Sequence, residues 1–263
     1  CKKIYNLKLL ETTLIFFISF GGISLSVFLT GNISIVLGFL FTVAIYFLNK
    51  NNQIIYLFII SILSIIKFPY MIFYGLPFMI NKINYKIFFQ ILSFVSIVFI
   101  IYLIYFYLNK ELFLSWIESL KYSKYIGDNG DFGRGLFRII NNFIIENQPV
   151  NIILYFSIIF IFFCFCYYIF HNSKILTEKN NKDLAIALAI IVLTICLPRL
   201  KSYNLLIVIP SLFFLIKSFN FKIPEILKIS LNFLLLFLLI CWTSPYAPLG
   251  LMIIIVLLFY IDL

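Results

Sequence analysis

The stretch IIYLFIISILSIIKFPYMIFYGLPFMI, residues 54–80, decides the fold class. Its one charged residue is Lys67, which stands just before Phe68 and Pro69. A run this apolar has lipid as its solvent, and a lipid-exposed backbone must satisfy its own hydrogen bonds, so the run is helical. Its two parts, Ile54 to Ile66 and Pro69 to Ile80, are each shorter than the roughly 20 residues that cross a bilayer. Short paired helices with charge at the joint predict a polar cavity, because irregular backbone at membrane depth must be buried in protein or face water. Lys67 is the sharpest signal in that joint. An ammonium at mid-bilayer costs about 2.5 to 3.5 kcal/mol on insertion scales, so it either snorkels to the headgroups or faces a wet cavity.

The rest of the chain repeats the pattern. Of its 263 residues, 63% are hydrophobic, 20% aromatic and only 11% charged, with a mean hydropathy of +1.11. Soluble domains carry roughly a quarter charged residues, so a water-soluble enzyme, a nucleic-acid binder and a disulfide scaffold are excluded. The formal charge of +10 reads instead as basic loops that fix orientation and contact anionic lipid. The expected architecture is all-α: one integral-membrane domain over residues 1–263, a polytopic bundle of about ten membrane segments, some short or broken. The segments are Thr12 to Leu29, Ile33 to Leu48, Ile54 to Ile66, Pro69 to Ile80, Ile87 to Leu108, Val150 to Phe170, Leu184 to Leu197, Leu205 to Ile216, Ile229 to Trp242 and Leu249 to Ile261.

Orientation follows from the basic residues. With a cytoplasmic N-terminus, one side receives Lys2, Lys3, Lys8, Lys50, Lys82, Lys86, Lys174, Lys179, Lys182, Lys217, Lys222 and Lys228 in short loops, as the positive-inside rule asks. The outer side holds Asn32, Lys67, the segment Asn109 to Pro149, Arg199 and Lys201. All three arginines, Arg134, Arg138 and Arg199, fall on that outer side, where topology alone disfavours them. Arginine suits bidentate recognition of phosphate or carboxylate, which points to an anionic ligand there.

The external segment 109–149 is patterned. Leu112, Phe113, Trp116, Ile117 and Leu120 recur at helical spacing, which predicts an interfacial helix, and a second amphipathic stretch runs from Leu136 to Ile145. Between them lies Gly127 to Gly135, a glycine-rich turn whose spacing fails the phosphate-loop pattern. Arg134 and Arg138 are candidates for a lipid phosphate, and Asp128 and Asp131 are of the type that holds a divalent cation together with a phosphate. Pro198 to Asn204 resembles the Lys67 joint in kind, with Arg199, Lys201, Tyr203 and Asn204 beside a second short pair of helices. Asn32, in Gly31-Asn32-Ile33-Ser34, formally matches a glycosylation sequon; a helix N-cap or a substrate contact suits its nearness to the membrane better. Cys164, Cys166, Cys196 and Cys241 sit in apolar runs with His171 as the sole histidine, so no metal site and no cofactor are expected.

Taken in order, Gly31-Asn32, Lys67-Phe68-Pro69, Gly133-Arg134-Gly135 and Pro198-Arg199-Leu200-Lys201-Ser202-Tyr203 resemble the pattern of glycosyltransferase family 87. The likeness covers nearly the whole chain through short, degenerate motifs. It implies a membrane hexosyltransferase of the GT-C type in a bacterial plasma membrane, which takes a sugar, mannose foremost, from a polyprenyl-phosphate donor on the outer face. The acceptor is then a lipid or glycan. The family's general base is an acidic residue in an earlier outer loop, and no Asp or Glu stands on the outer side before Glu111; either the base lies upstream of Cys1, which the missing Met favours, or this chain is not itself catalytic.

The implied chemistry is inverting transfer, in which cations steady the departing phosphate. Lys67, Arg199 and Lys201 are the phosphate candidates, with Asn32, Tyr203 and Asn204 near sugar or acceptor. A polysaccharide polymerase or ligase is the nearest rival, and there the arginines of the long loop should dominate. A lipid-linked saccharide flippase is another, and it would place charge along a path to both leaflets rather than at outer joints alone.

Overall fold

The computed structural model describes residues 29, 32–81, 84–115, 118, 140, 148–173, 182–197, 206–211, 214 and 250. Every regular element among them is helical: α1 (Ser34–Asn49), α2 (Gln53–Ile66), a 3-10 segment (Phe68–Gly75), α3 (Leu76–Ile80), α4 (Tyr85–Leu108), α5 (Gln148–Asn172) and α6 (Lys182–Ile195).

α1 and α2 form a hairpin whose turn is written in three residues. Asn51 takes a left-handed φ of 61°, which asparagine tolerates better than most side chains. The reversal lets the Asn51 N–H reach Leu48 O at 3.0 Å and the Asn52 N–H reach Phe47 O at 2.9 Å, which satisfies carbonyls that the end of α1 would otherwise orphan. The Asn52 side chain then accepts from the Ile55 N–H and starts α2. Ser34, Leu37, Phe41, Ala44, Ile45 and Leu48 make the buried stripe of α1, and Tyr56, Leu57, Ile60, Ser61, Leu63 and Ser64 that of α2.

α6 is buried on every side from Leu184 to Ile195 and forms the centre of the described core. α4 does the reverse. Ile91 and Val98 are buried and Phe94, Val95 and Tyr102 are part-buried, a single stripe at helical spacing against α2; Phe89, Leu92, Phe99 and Leu103 are exposed. α5 likewise exposes Ile153, Phe156, Phe160 and Ile161. Among the described residues, two helices, Tyr85–Leu108 and Val150–Asn172, are long and apolar enough to cross a membrane.

The 3-10 segment folds back along α2. The Tyr56 hydroxyl donates to Phe73 O at 2.6 Å, and Ser61 and Tyr74 hydroxyls meet at 2.6 Å. Gly75 then packs so closely on α6 that an added Cβ would stand 3.3 Å from the Leu193 side chain.

These contacts set the direction of each helix. The α1–α2 turn and the start of α6 meet at one end, where Lys182 and Asp183 bind Leu48, Asn49 and Asn51. α2 runs from that turn to Lys67. The last turns of α4 reach the same place, through Tyr102, and α6 ends at Ile195 after a climb of similar length. Tyr155, early in α5, donates to Cys196 O at 2.9 Å. Ser34, Lys67, the end of α4, the start of α5 and the end of α6 therefore share one end of the bundle.

The expected segments Ile33 to Leu48, Ile54 to Ile66, Ile87 to Leu108, Val150 to Phe170 and Leu184 to Leu197 agree with α1, α2, α4, α5 and α6 within about two residues. Pro69 to Ile80 differs. It is a 3-10 segment followed by five residues of α-helix, because Tyr56 and Ser61 of α2 grip it by its carbonyl and hydroxyl groups. The segments Thr12 to Leu29, Ile229 to Trp242 and Leu249 to Ile261 lie outside the described residues apart from Leu29 and Gly250, and Leu205 to Ile216 is described only at 206–211 and 214.

Candidate functional site

The chain breaks at Lys67. α2 ends at Ile66, Lys67 turns extended (φ −147°, ψ 99°), and the 3-10 segment starts at Phe68 with Pro69 in its first turn. Proline disfavours α geometry nearby and has no N–H to offer, so the helix cannot run on. The Lys67 N–H still closes α2 on Leu63 O at 2.8 Å, and Lys67 O accepts from Tyr70 at 3.0 Å.

The extended backbone carries the half-buried Lys67 side chain toward the start of α1, where Nζ donates to Ser34 Oγ at 3.3 Å. Ser34 is itself buried, 3% exposed. Its N–H donates to Asn32 Oδ1 at 2.9 Å, a local turn that fixes where α1 begins. An ammonium, a hydroxyl and an amide thus meet at a helix N-terminus, whose own partial charge is positive. Two positive features side by side favour an anion, and a hydroxyl that accepts from Lys67 still has a proton to donate to one.

Of the residues singled out in the sequence, the structure brings Lys67 and Asn32 together across Ser34. Arg199, Lys201, Tyr203, Asn204, Asp128, Asp131, Arg134 and Arg138 lie outside the described residues. The two segments that contain them are attached at this same end: α4 ends at Leu108 and α6 at Ile195. Residues 110–115, just beyond α4, are helical, and Phe113 meets Phe106 with ring centroids 4.9 Å apart.

The opposite end is built differently. Lys182 Nζ donates to Leu48 O at 3.1 Å, Asn49 O at 3.4 Å and Asn51 Oδ1 at 2.5 Å, a cation placed on the carbonyls that close α1. Asn49 Nδ2 donates to Asp183 Oδ1 at 2.6 Å. Burial lowers the Lys182 pKa, with Asp183 opposing. Burial raises the Asp183 carboxyl above its ordinary value, with the Asn49 hydrogen bond and Lys182 opposing. Lys50 and Lys86 stand exposed at the same end.

No family model, curated protein or solved structure matches this chain.

Sequence reasoning missed Ser34 and Tyr102. Ser34 was in view only as the third residue of a sequon. Tyr102 donates its hydroxyl to Ser64 O at 2.8 Å and Ile65 O at 3.1 Å, and its ring meets Phe68 edge-on with centroids 6.0 Å apart. The one signal for it was Pro69: with no N–H four residues on, Ile65 O needs a donor from elsewhere.

Proposed function

We propose that this chain is a multi-pass membrane glycosyltransferase of the GT-C type that transfers a hexose, mannose foremost, from a polyprenyl-phosphate donor to a lipid or glycan acceptor. The bundle of about ten segments, the cytoplasmic N-terminus and the bacterial plasma membrane belong to the same proposal. The observation that carries it is the broken helix whose Lys67 reaches Ser34 beside Asn32. Discontinuous helices with charge at the break are how membrane proteins hold polar ligands at depth. The two helices of spanning length and their exposed apolar faces support the membrane setting.

In this reading the acceptor oxygen attacks the anomeric carbon while the bond from that carbon to the phosphate oxygen breaks. The acceptor proton passes to a carboxylate, and the phosphate leaves with the electron pair. Its charge grows as it leaves, and Lys67, with Arg199 and Lys201, stabilises that charge more in the transition state than in the ground state. Asn32, Tyr203 and Asn204 orient the sugar or acceptor, and Arg134, Arg138, Asp128 and Asp131 are loop contacts. The firm binding of the α1–α2 turn to α6 at the other end favours a site served from one face over a flippase path open to both.

The test is transfer of labelled sugar from polyprenyl phosphate by the purified protein in lipid vesicles. Transfer by the wild type and its loss in a folded Lys67→Ala variant are expected. No transfer to any lipid or glycan acceptor by the wild type would remove the enzyme assignment, and normal turnover in the variant would remove Lys67 from the site.

A further inference from the structure

We infer that Tyr102 is a positioning residue for Lys67, holding open the break that aims its ammonium. The inference deepens the reading of Lys67 as a phosphate contact and rests on it. Ile65 is four residues before Pro69, so its carbonyl has no backbone donor at the usual helical distance. At membrane depth no bulk water replaces that donor. Tyr102 fills the need from a different helix, donating to Ser64 O and Ile65 O at 2.8 and 3.1 Å.

The same side chain reaches across the break. Its ring sits against Phe68, the first residue of the 3-10 segment, with centroids 6.0 Å apart and planes at 71°. Tyr102 therefore touches the chain on both sides of Lys67: residues 64 and 65 before it and residue 68 after it. Only Ile66, the last residue of α2, and the extended backbone of Lys67 lie between.

Tyr102 is part of the narrow inward stripe of α4, while Leu103, Ile104 and Tyr105 beside it are exposed. Removing the hydroxyl leaves Ile65 O without this donor and lets the backbone around Lys67 relax toward another partner. The ammonium then spends less time against Ser34, 3.3 Å away, and an anion bound there loses part of its contact.

The experiment measures binding of two probes to the full chain in phosphatidylcholine vesicles, a fluorescent polyprenyl phosphate and the matching neutral polyprenol. Tyr102→Phe keeps the ring and loses the hydroxyl. It should weaken phosphate-probe binding about fivefold, the size of one neutral hydrogen bond, and leave polyprenol binding unchanged. In a Lys67→Ala background the same change should have no further effect. Equal phosphate binding by Tyr102→Phe and wild type overturns the inference. So does an equal loss for both probes, which marks a scaffold role only, or an undiminished effect without Lys67. Should Tyr102→Phe not fold, Phe68→Ala removes the other contact across the break and must weaken the phosphate probe selectively; an unselective effect overturns the inference. If Lys67→Ala itself binds the phosphate probe normally, the site reading fails and the inference with it. A loss in Lys67→Ala alone fails only the inference.

Discussion

The two ends of α2 treat a lysine in opposite ways. At the Lys50–Asn52 turn the backbone curls back on itself, and Lys182 arrives from α6 to sit on the freed carbonyls of α1. At Lys67 the backbone opens, a tyrosine supplies what the carbonyls need, and the lysine is directed to a buried hydroxyl beside a helix N-terminus. The first arrangement puts positive charge where the helix dipole is negative; the second puts it beside a dipole end that is positive. One end thus places its cation on carbonyl oxygens, and the other places it beside a hydroxyl and a helix N-terminus, a grouping suited to an anion.

If that contrast is right, changes at the break should act on ligand and turnover, and changes at the turn on stability. The largest effect is expected for Lys67→Ala, a loss of roughly ten- to a hundredfold in phosphate-probe affinity or sugar transfer, the worth of a charge-assisted hydrogen bond. Circular dichroism should show unchanged helix content. At the turn, Asn51→Ala must place a Cβ-bearing residue without a compensating side chain at a φ of 61°, which costs about 1 to 2 kcal/mol. Asn51→Gly removes the strain but also the Lys182 contact, so its melting midpoint should lie between those of wild type and Asn51→Ala. Lys182→Ala should cost about 1 kcal/mol, at the low end for a charged donor because the group is half exposed, with turnover per folded molecule unchanged. A turnover loss in any turn variant that matches Lys67→Ala would erase the contrast.

The smallest effect is in pH. The Asp183 carboxyl is raised by burial, so its protonated form is the better accommodated one. Its contribution to stability is therefore present below the ordinary carboxylate pKa and is lost as pH rises through the raised folded value. Melting midpoints scanned upward from acid should fall slightly more in wild type than in Asp183→Asn, which cannot titrate. A steeper fall in the variant would contradict the assigned cause.

Much of this was readable in the residues. Lys67-Phe68-Pro69 marks the end of α2, because proline and an isolated charge both interrupt an apolar helix. The 3-10 geometry of Phe68–Gly75 was not readable. Its composition matches that of a short membrane helix, and its shape comes from Tyr56 and Ser61 of α2. Tyr102 was hidden for a related reason: α4 also carries Tyr85, Tyr105 and Tyr107, and only the neighbouring helix distinguishes one hydroxyl from the others. Lys182 reads in the sequence as a loop cation that sets orientation, and its place on the α1 carbonyls is a tertiary fact.

The most direct measurement is photo-crosslinking of a diazirine-tagged polyprenyl phosphate to the full chain in vesicles, with the adducts mapped by mass spectrometry. The account predicts adducts at Asn32 to Ser34 and Ser64 to Phe68 that disappear in Lys67→Ala. Adducts confined to the exposed faces of α4 and α5, and indifferent to Lys67, would contradict it.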